Sequence, residues 1–396
     1  MAVDFPSSPN PGDQFTSGGA TWTWDGVKWT AAGTGQGVYL PLTGGVMVGD
    51  ITLKGDPTLA LHPVTKQMWD KQSGFSHDNR ICNGDMRIDQ RNGGASGTAN
   101  GYTVDRWQYG ANQSNKGSWT RANAGPPLVA AGFGNDLLFT SSSAYASLAG
   151  DAFTFLQPIE ADMVSDFAWG TPNAQPVTLS FWAWSSLAGT FGGSIANAPA
   201  PPTRSYPFSY TLAASTWTKI IVTIPGDTVG TWVMSGNAAG MFVFFDLGNG
   251  ANFRGPAGAW ANANYRGVTG SVSVVGTNAA QFALTGVKLE IGSVATPFNR
   301  KSLANALSDC QRYFNTGFVD CNQSPGAAGP FTQMVSFPVT MRAQPAVTIS
   351  GLASANITPP LLAYSRQITG IKFGAPIVTP NVASYFTANY TADAEL

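Results

Sequence analysis

Between residues 79 and 300, apolar and polar side chains alternate in short runs broken by Gly, Pro, Asn or Ser. The runs Met86–Gln90, Tyr102–Tyr109, Leu137–Thr140, Phe153–Pro158, Val177–Trp184, Ser205–Leu212, Lys219–Ile224, Met241–Leu247, Ser271–Val275 and Phe282–Glu290 have strand length and strand composition. Their near-regular spacing predicts a two-sheet β-sandwich. In Thr178–Trp184, Leu179, Phe181 and Ala183 share one face, and Ser180, Trp182 and Trp184 share the other. Either face could meet the core. The period changes over Arg300–Phe314, where Leu303, Leu307, Cys310 and Phe314 fall on one helical stripe. Strand patterns then return at Thr332–Val339, Ala346–Ser350, Gln367–Phe373 and Tyr385–Tyr390. No repeat with a period of about 20–50 residues stands out, which argues against a propeller or a long β-helix.

Upstream lie two smaller patterns. Residues 1–36 alternate aromatic and polar positions, with Phe15, Trp22, Trp24 and Trp29, and Asp25-Gly26 sits between two β-like runs as a hairpin signal. The segment is far too short for a self-sufficient domain, so it is expected to dock on other copies or on another protein. Tyr39–Pro57 is Gly-rich, places Ile51 and Leu53 on one side of a strand and ends in an Asp56-Pro57 turn. A two-stranded hairpin is marginal in water, and its simplest cover is the same segment from other copies. Pro63–Gln72 reads as a short helix with Val64 and Met68 on one stripe, Pro63 at its first position and Gly74 at its end. Alone it is too short to hold.

Composition narrows the classes. Only 11% of the 396 residues are charged, against about a quarter in an average domain. The net charge is −1, and the 21 basic residues are scattered, with no basic run to seek nucleic acid. With 43% apolar residues and 46 glycines, an all-β protein rich in turns fits and disorder does not. The start, MAVDFPSSPNPGDQ, lacks the charged and apolar regions of a secretory signal, and no apolar run reaches the ~18 residues of a membrane span. Cys82, Cys310 and Cys321 are odd in number, far apart and outside any CxxC, so buried, reduced thiols are expected.

Catalytic motifs are missing. The two histidines, His62 and His77, lie away from any evident pocket, and there is no G-x-S-x-G, P-loop, H-E-x-x-H or G-x-G-x-x-G. Glycoside hydrolysis needs only two carboxylates about 5–10 Å apart. The densest acidic group, Glu160, Asp162 and Asp166, reads instead as a solvated loop between strands. The chain is therefore not expected to be an enzyme. Sugar binding asks for less: an aromatic face for the ring and polar groups for its hydroxyls. The candidate platforms among the 12 tryptophans are Trp182 and Trp184, with Trp169, Trp232 and Trp260 in Gly-rich turns as alternatives.

Leu40-Pro-Leu-x-Gly-Gly-x-Met-x-Gly-Asp-Ile51, followed by Asp56-Pro57 and a short helix, resembles the neck of tailed-bacteriophage tail-fibre proteins, in which three chains wind together. Asn83–Gln90, Val104-Asp-Arg-Trp107, Thr178–Trp182, Ile224-Pro-Gly-Asp227 and Gly286–Phe298 are similar to a jelly-roll domain of phage tail proteins, related in form to carbohydrate-binding modules. Phe337-Pro-Val-Thr-Met-Arg342 and Pro345-Ala-Val-Thr-Ile349 resemble a tip domain of such fibres. The family usually carries a longer helix with Ala where Pro63 stands. The resemblance implies a mainly β chain with an N-terminal virion-attachment hairpin module (1–36), a trimerising neck with a short helix (37–78), a jelly-roll β-sandwich (79–300), a linking helix (301–316) and a C-terminal β tip domain (317–396). It further implies a homotrimer made in the host cytoplasm and carried in the virion. Trp22, Trp24 and Trp29 would attach it to tail or baseplate proteins, and the distal β domains would bind bacterial surface polysaccharide. No nucleic acid, membrane insertion or cofactor is implied beyond a structural calcium on Asn83, Asp85 and Glu290, for which Glu290 is brought back beside the first strand.

Overall fold

Alternating aromatics build the sheet nearest the N-terminus: β1 (Gln14–Ser17), β2 (Ala20–Trp24) and β3 (Trp29–Ala32) run antiparallel in that order. The computed structural model describes residues 5–17, 20–32, 79–199, 201–324, 326 and 330–396, and the chain divides into two units, Met1–Ser73 and Gly74–Leu396. The Asp25-Gly26 turn is present between β2 and β3. Asp25 Oδ1 accepts from Val27 N (2.9 Å) and Lys28 N (2.8 Å), Gly26 sits at φ 101°, and Trp24 pairs with Trp29 across the strands. Phe5 stacks on Trp29 at 5.4 Å and meets Trp22 edge-on at 5.2 Å. No described residue of this sheet is fully buried. The neck, its helix, His62 and His77 lie outside the described residues.

In the large unit the predicted sandwich is present. One sheet orders β11 (Ser205–Leu212), β10 (Gly189–Asn197), β13 (Ala239–Asp246), β8 (Phe153–Glu160), β5 (Gln108–Ala111) and β4 (Gly101–Tyr102). The other orders β12 (Thr218–Ile224), β9 (Val177–Ser185), β16 (Gln281–Ile291), β7 (Asn135–Ser141) and β6 (Gly117–Asn123). Phe139, Phe155, Phe181, Phe191, Phe245 and Phe282 fill the space between them and are all but fully buried. Two predicted strands are absent. Met86 takes a left-handed turn conformation at φ 57°, and Ser271–Val275 folds as turns whose Ser271 hydroxyl donates to the buried Asp246. Strands β6 and β10 and the short parallel pair β14 (Arg254–Gly255) and β15 (Gly267–Val268) were not predicted, and the single strand predicted over Tyr102–Tyr109 is the hairpin of β4 and β5.

The incoming segment lies beside β16: Arg80 N donates to Leu289 O at 2.9 Å and Val287 N to Gly84 O at 2.9 Å. The linking helix is shorter than predicted. It spans α2 (Leu303–Gln311), capped by Ser302, and Phe314 already opens β17 (Phe314–Gln323). Ala306 and Cys310 face inward, whereas Leu303 is exposed. Cys82, Cys310 and Cys321 are all buried and unbridged, as expected, and the Cys82 and Cys310 sulfurs lie 3.8 Å apart where α2 meets the sandwich.

The C-terminal region pairs β17, β22 (Ser384–Asp393) and β19 (Ala346–Ala355) in one sheet, and β18 (Pro330–Ser336), β21 (Gly370–Pro376) and β20 (Leu362–Gln367) in another. Phe331, Ile371, Phe373 and Phe386 lie in the core of this region. Its seam with the sandwich is ionic. Arg106, 1% exposed, pairs with Glu395, and Arg91 reaches Asp393 (2.9 Å) and Glu395 (3.1 Å). Glu160 is 2% exposed and accepts from Arg312 Nη2 (2.5 Å), Arg312 Nε (3.1 Å) and Tyr313 Oη (2.7 Å). Burial pushes the Tyr313 phenol up, so it stays a donor. The expectation of a solvated acidic loop is thus corrected for Glu160, which anchors the C-terminal region, whereas Asp162 and Asp166 are exposed in the turn that follows β8, with Asp166 2.6 Å from Arg80.

Candidate functional site

Strand alternation in β9 decides which tryptophans face outward. Leu179, Phe181 and Ala183 are in the core, so Ser180, Trp182 and Trp184 stand on the outer face. Register sets Lys219 of β12 opposite Trp182, and Ile221, 54% exposed, opposite Ser180. On the other side of Trp182, β16 carries a register shift between Thr285 and Lys288, with Gly286 at φ 61°. A Cβ on Gly286 would lie 2.7 Å from Phe133 and 3.1 Å from Trp182, so glycine lets both rings rest on the strand. Phe133 follows the short helix α1 (Pro126–Ala130), whose Leu128 is fully buried beneath it.

The far wall is the exit segment after β16. Lys288 and Glu290 alternate with the core residues Val287 and Leu289 and fasten this segment across the outer face. Glu290 accepts from Thr296 N (2.7 Å) and Thr296 Oγ1 (2.5 Å). Lys288 Nζ lies 3.1 Å from Glu290 Oε2 and donates to Pro297 O at 3.2 Å. Phe298 is thereby set edge-on against Phe133 at 5.2 Å. The result is a groove of about 480 Å³ lined by Phe133, Ser180, Trp182, Lys219, Phe298 and Arg300, among others. That volume is within the ~300–1,000 Å³ of ligand clefts.

Hydrogen bonding separates the five candidate tryptophans. Trp169, Trp232 and Trp260 do converge, with ring centroids 4.8–5.5 Å apart, but edge to face. Their indole N–H groups donate to Gln175 O (2.8 Å), Asp227 Oδ2 (2.9 Å) and Pro225 O (2.9 Å). They lie around a buried ion pair in which Arg204 binds Asp227 through two bonds, of 2.8 and 2.6 Å. This is a packed cluster rather than a shared platform. Among the described residues, the indole N–H of neither Trp182 nor Trp184 has a protein acceptor, and both side chains are partly exposed. The sequence missed Phe133, Lys219, Phe298 and Arg300 as neighbours of Trp182. The alternation of β9 and the Trp217-x-Lys219 phrase were the available signals.

The proposed calcium ligands do not fit that ion. Asn83 Oδ1 accepts from Ile88 N, its Nδ2 donates to Ile88 O and Asp105 O, and Glu290 is held by Thr296 and Lys288. Asp85 Oδ2 lies 2.6 Å from Arg87 and 3.7 Å from Arg300, so side-chain cations stand where a metal would. No group of three or more His, Cys, Asp or Glu residues suited to a metal exists among the described residues. In the N-terminal sheet, Trp24 packs directly on Trp29 at 5.6 Å, and Trp22 and Trp29 both pack on Phe5.

Two smaller clefts are less suited to a ligand. The first, about 230 Å³ at the seam, has both of its cations paired internally, Lys301 with Asp309 and Arg312 with Glu160. The second, about 360 Å³, lies beside Tyr145, Asn249 and Arg254, and the guanidinium of Arg254 is already spent on Asp246 and Ser271 O.

No family model and no curated protein matches the chain. Among solved structures, the enzymatically active domain of bacteriophage CBA120 tailspike protein 4 is similar at 13% identity and a TM-score of 0.30, over 54% of this chain and 22% of that one. The family 11 carbohydrate-binding module of a Clostridium thermocellum cellulase is similar at 12% identity and a TM-score of 0.25, over 50% of this chain and 95% of that one. The chain thus spans about a fifth of the tailspike domain's length, and likeness at these scores carries no argument about activity.

Proposed function

We propose that this protein is a fibre of a tailed phage that binds host-surface glycan, without cleaving it, through the Trp182 groove. The carrying observation is Trp182 itself: a partly exposed indole with an unbonded N–H, set between Phe133, Phe298 and Lys219. A sugar ring can lie on the aromatic face while its hydroxyls meet the N–H, Ser180 and the cations. The neck (37–78) would join three chains, and the N-terminal aromatic sheet would attach them to the tail. Three grooves of about millimolar affinity, roughly −4 kcal/mol each, would hold a surface by avidity.

The test is binding of the full chain and of Trp182→Ala to a bacterial glycan array. Binding that falls at least about tenfold in the variant, with an unchanged fold, supports the reading. Equal binding by both proteins places the ligand elsewhere, and no binding by either favours a purely structural fibre.

A further inference from the structure

The groove carries a charge bias. Its described lining contains two cations, Lys219 and Arg300, and no carboxylate. Neither cation is held in a close ion pair. Lys219 is exposed and has no protein ion pair or hydrogen bond among the described residues. Arg300 is 40% exposed at its side chain, and its nearest carboxylate, Asp85, is 3.7 Å away and already bound to Arg87 at 2.6 Å. The Arg300 guanidinium instead lies over the Phe133 ring, 5.4 Å from its centroid, and is thereby held at the groove wall. Elsewhere in the sandwich Arg204 pairs with Asp227, Arg254 with Asp246 and Arg106 with Glu395, while Arg266 lies over the Phe244 and Phe253 rings and Arg121 donates to Arg87 O. What sets this groove apart is that Lys219, without an ion pair, and Arg300, in one long pair with Asp85, stand beside an aromatic floor in a lining without carboxylates.

We infer that the groove selects a sugar bearing a carboxylate, a uronic acid, over its neutral counterpart. This rests on the glycan-binding reading above. The pyranose ring stacks on Trp182, and its carboxylate meets the ammonium of Lys219 from one side and the guanidinium of Arg300 from the other. A charged acceptor strengthens each such hydrogen bond relative to a neutral hydroxyl. A neutral sugar would leave two cations partly desolvated with nothing gained, so discrimination comes from both sides of the comparison. The planar guanidinium suits a carboxylate better than a lysine would at the same position.

The experiment uses the full chain and an array of glucuronate-, galacturonate- and mannuronate-containing oligosaccharides, each printed beside its carboxyl-reduced, neutral form. A parallel set carries phosphate in place of the carboxylate. The expected result is binding to at least one uronate that drops about tenfold or more on carboxyl reduction, and about tenfold for Lys219→Gln or Arg300→Gln. That binding weakens as salt rises. Both side chains are exposed, so neither variant threatens folding. Neutral forms bound as well as acidic ones, with both variants unaffected, overturn the inference and leave glycan binding standing. Preference for the phosphate set overturns the carboxylate assignment. Binding to nothing on the array overturns the inference together with the reading beneath it.

Discussion

Gly286→Ala is a small change with a large expected effect. Gly286 sits at φ 61°, where an alanine costs about 1–2 kcal/mol in the backbone alone. Its new Cβ would lie 2.7 and 2.9 Å from two carbons of Phe133 and 3.1 Å from Trp182, distances that force a shift. Phe133 is 4% exposed and packed on Leu128, so it cannot swing freely aside, and overpacking of this kind adds about 1–3 kcal/mol. Together these predict a loss of roughly 2–5 kcal/mol in the unfolding free energy of the large unit. Urea unfolding followed by far-UV circular dichroism measures it, with the midpoint falling at unchanged m-value. The same displacement lifts Phe133 and tilts Trp182, so glycan binding should weaken even at temperatures where the variant is folded. A variant within about 0.5 kcal/mol of the parent, binding normally, would show that the rings do not rest on this strand.

Three further outcomes follow from buried groups. Asp136, 4% exposed, has its carboxyl pushed by burial from 3.8 to about 6. The folded chain therefore holds a proton that the unfolded chain releases, so this residue's contribution to stability declines as pH rises from about 4 to about 6 and stays low above that. Asp136→Asn should flatten that slope and raise stability near pH 7 by up to about 3 kcal/mol, read from denaturation midpoints across pH. Glu160→Gln removes the charge that holds Arg312 while leaving that guanidinium partly exposed, so a cost of roughly 1–3 kcal/mol is expected. Hydrogen exchange should then rise first in α2 and β17, and exchange rising uniformly over the sandwich would contradict the anchoring role. Cys82, Cys310 and Cys321 are buried, and the contact with Cys82, together with burial, holds the Cys310 thiol well above its usual range. A water-soluble aromatic disulfide reagent should therefore react slowly with the native protein and fully after unfolding.

The sandwich was legible where alternation was strong. Val177–Trp184 and Ser205–Leu212 match β9 and β11 almost to the residue. Strand β10 was hidden because Gly189, Gly192 and Gly193 dilute its pattern. Those glycines are close-approach positions, and a Cβ on Gly193 would strike Phe208 at 2.6 Å. Met86–Gln90 looked like a strand, but the left-handed Asn83 and Met86 turn the chain there. The outward face of Trp182 was half legible, since the pattern gave two faces without saying which was buried. Its partners were not legible: Phe133, Lys219 and Phe298 meet it only through sheet register, the Gly286 bulge and the Lys288–Glu290–Thr296 clasp. Glu160 was misread for the same reason, because Arg312 is 152 positions away in sequence.

Hydroxyl-radical footprinting with mass spectrometry, performed on the full chain with and without a bound array glycan, tests the site most directly. In the free protein, Trp182 and Trp184 should oxidise faster than the bonded Trp169, which is 2% exposed, and glycan should protect Trp182 selectively. Protection confined to Trp232 and Trp260, or no change at Trp182 under saturating glycan, would contradict the assignment.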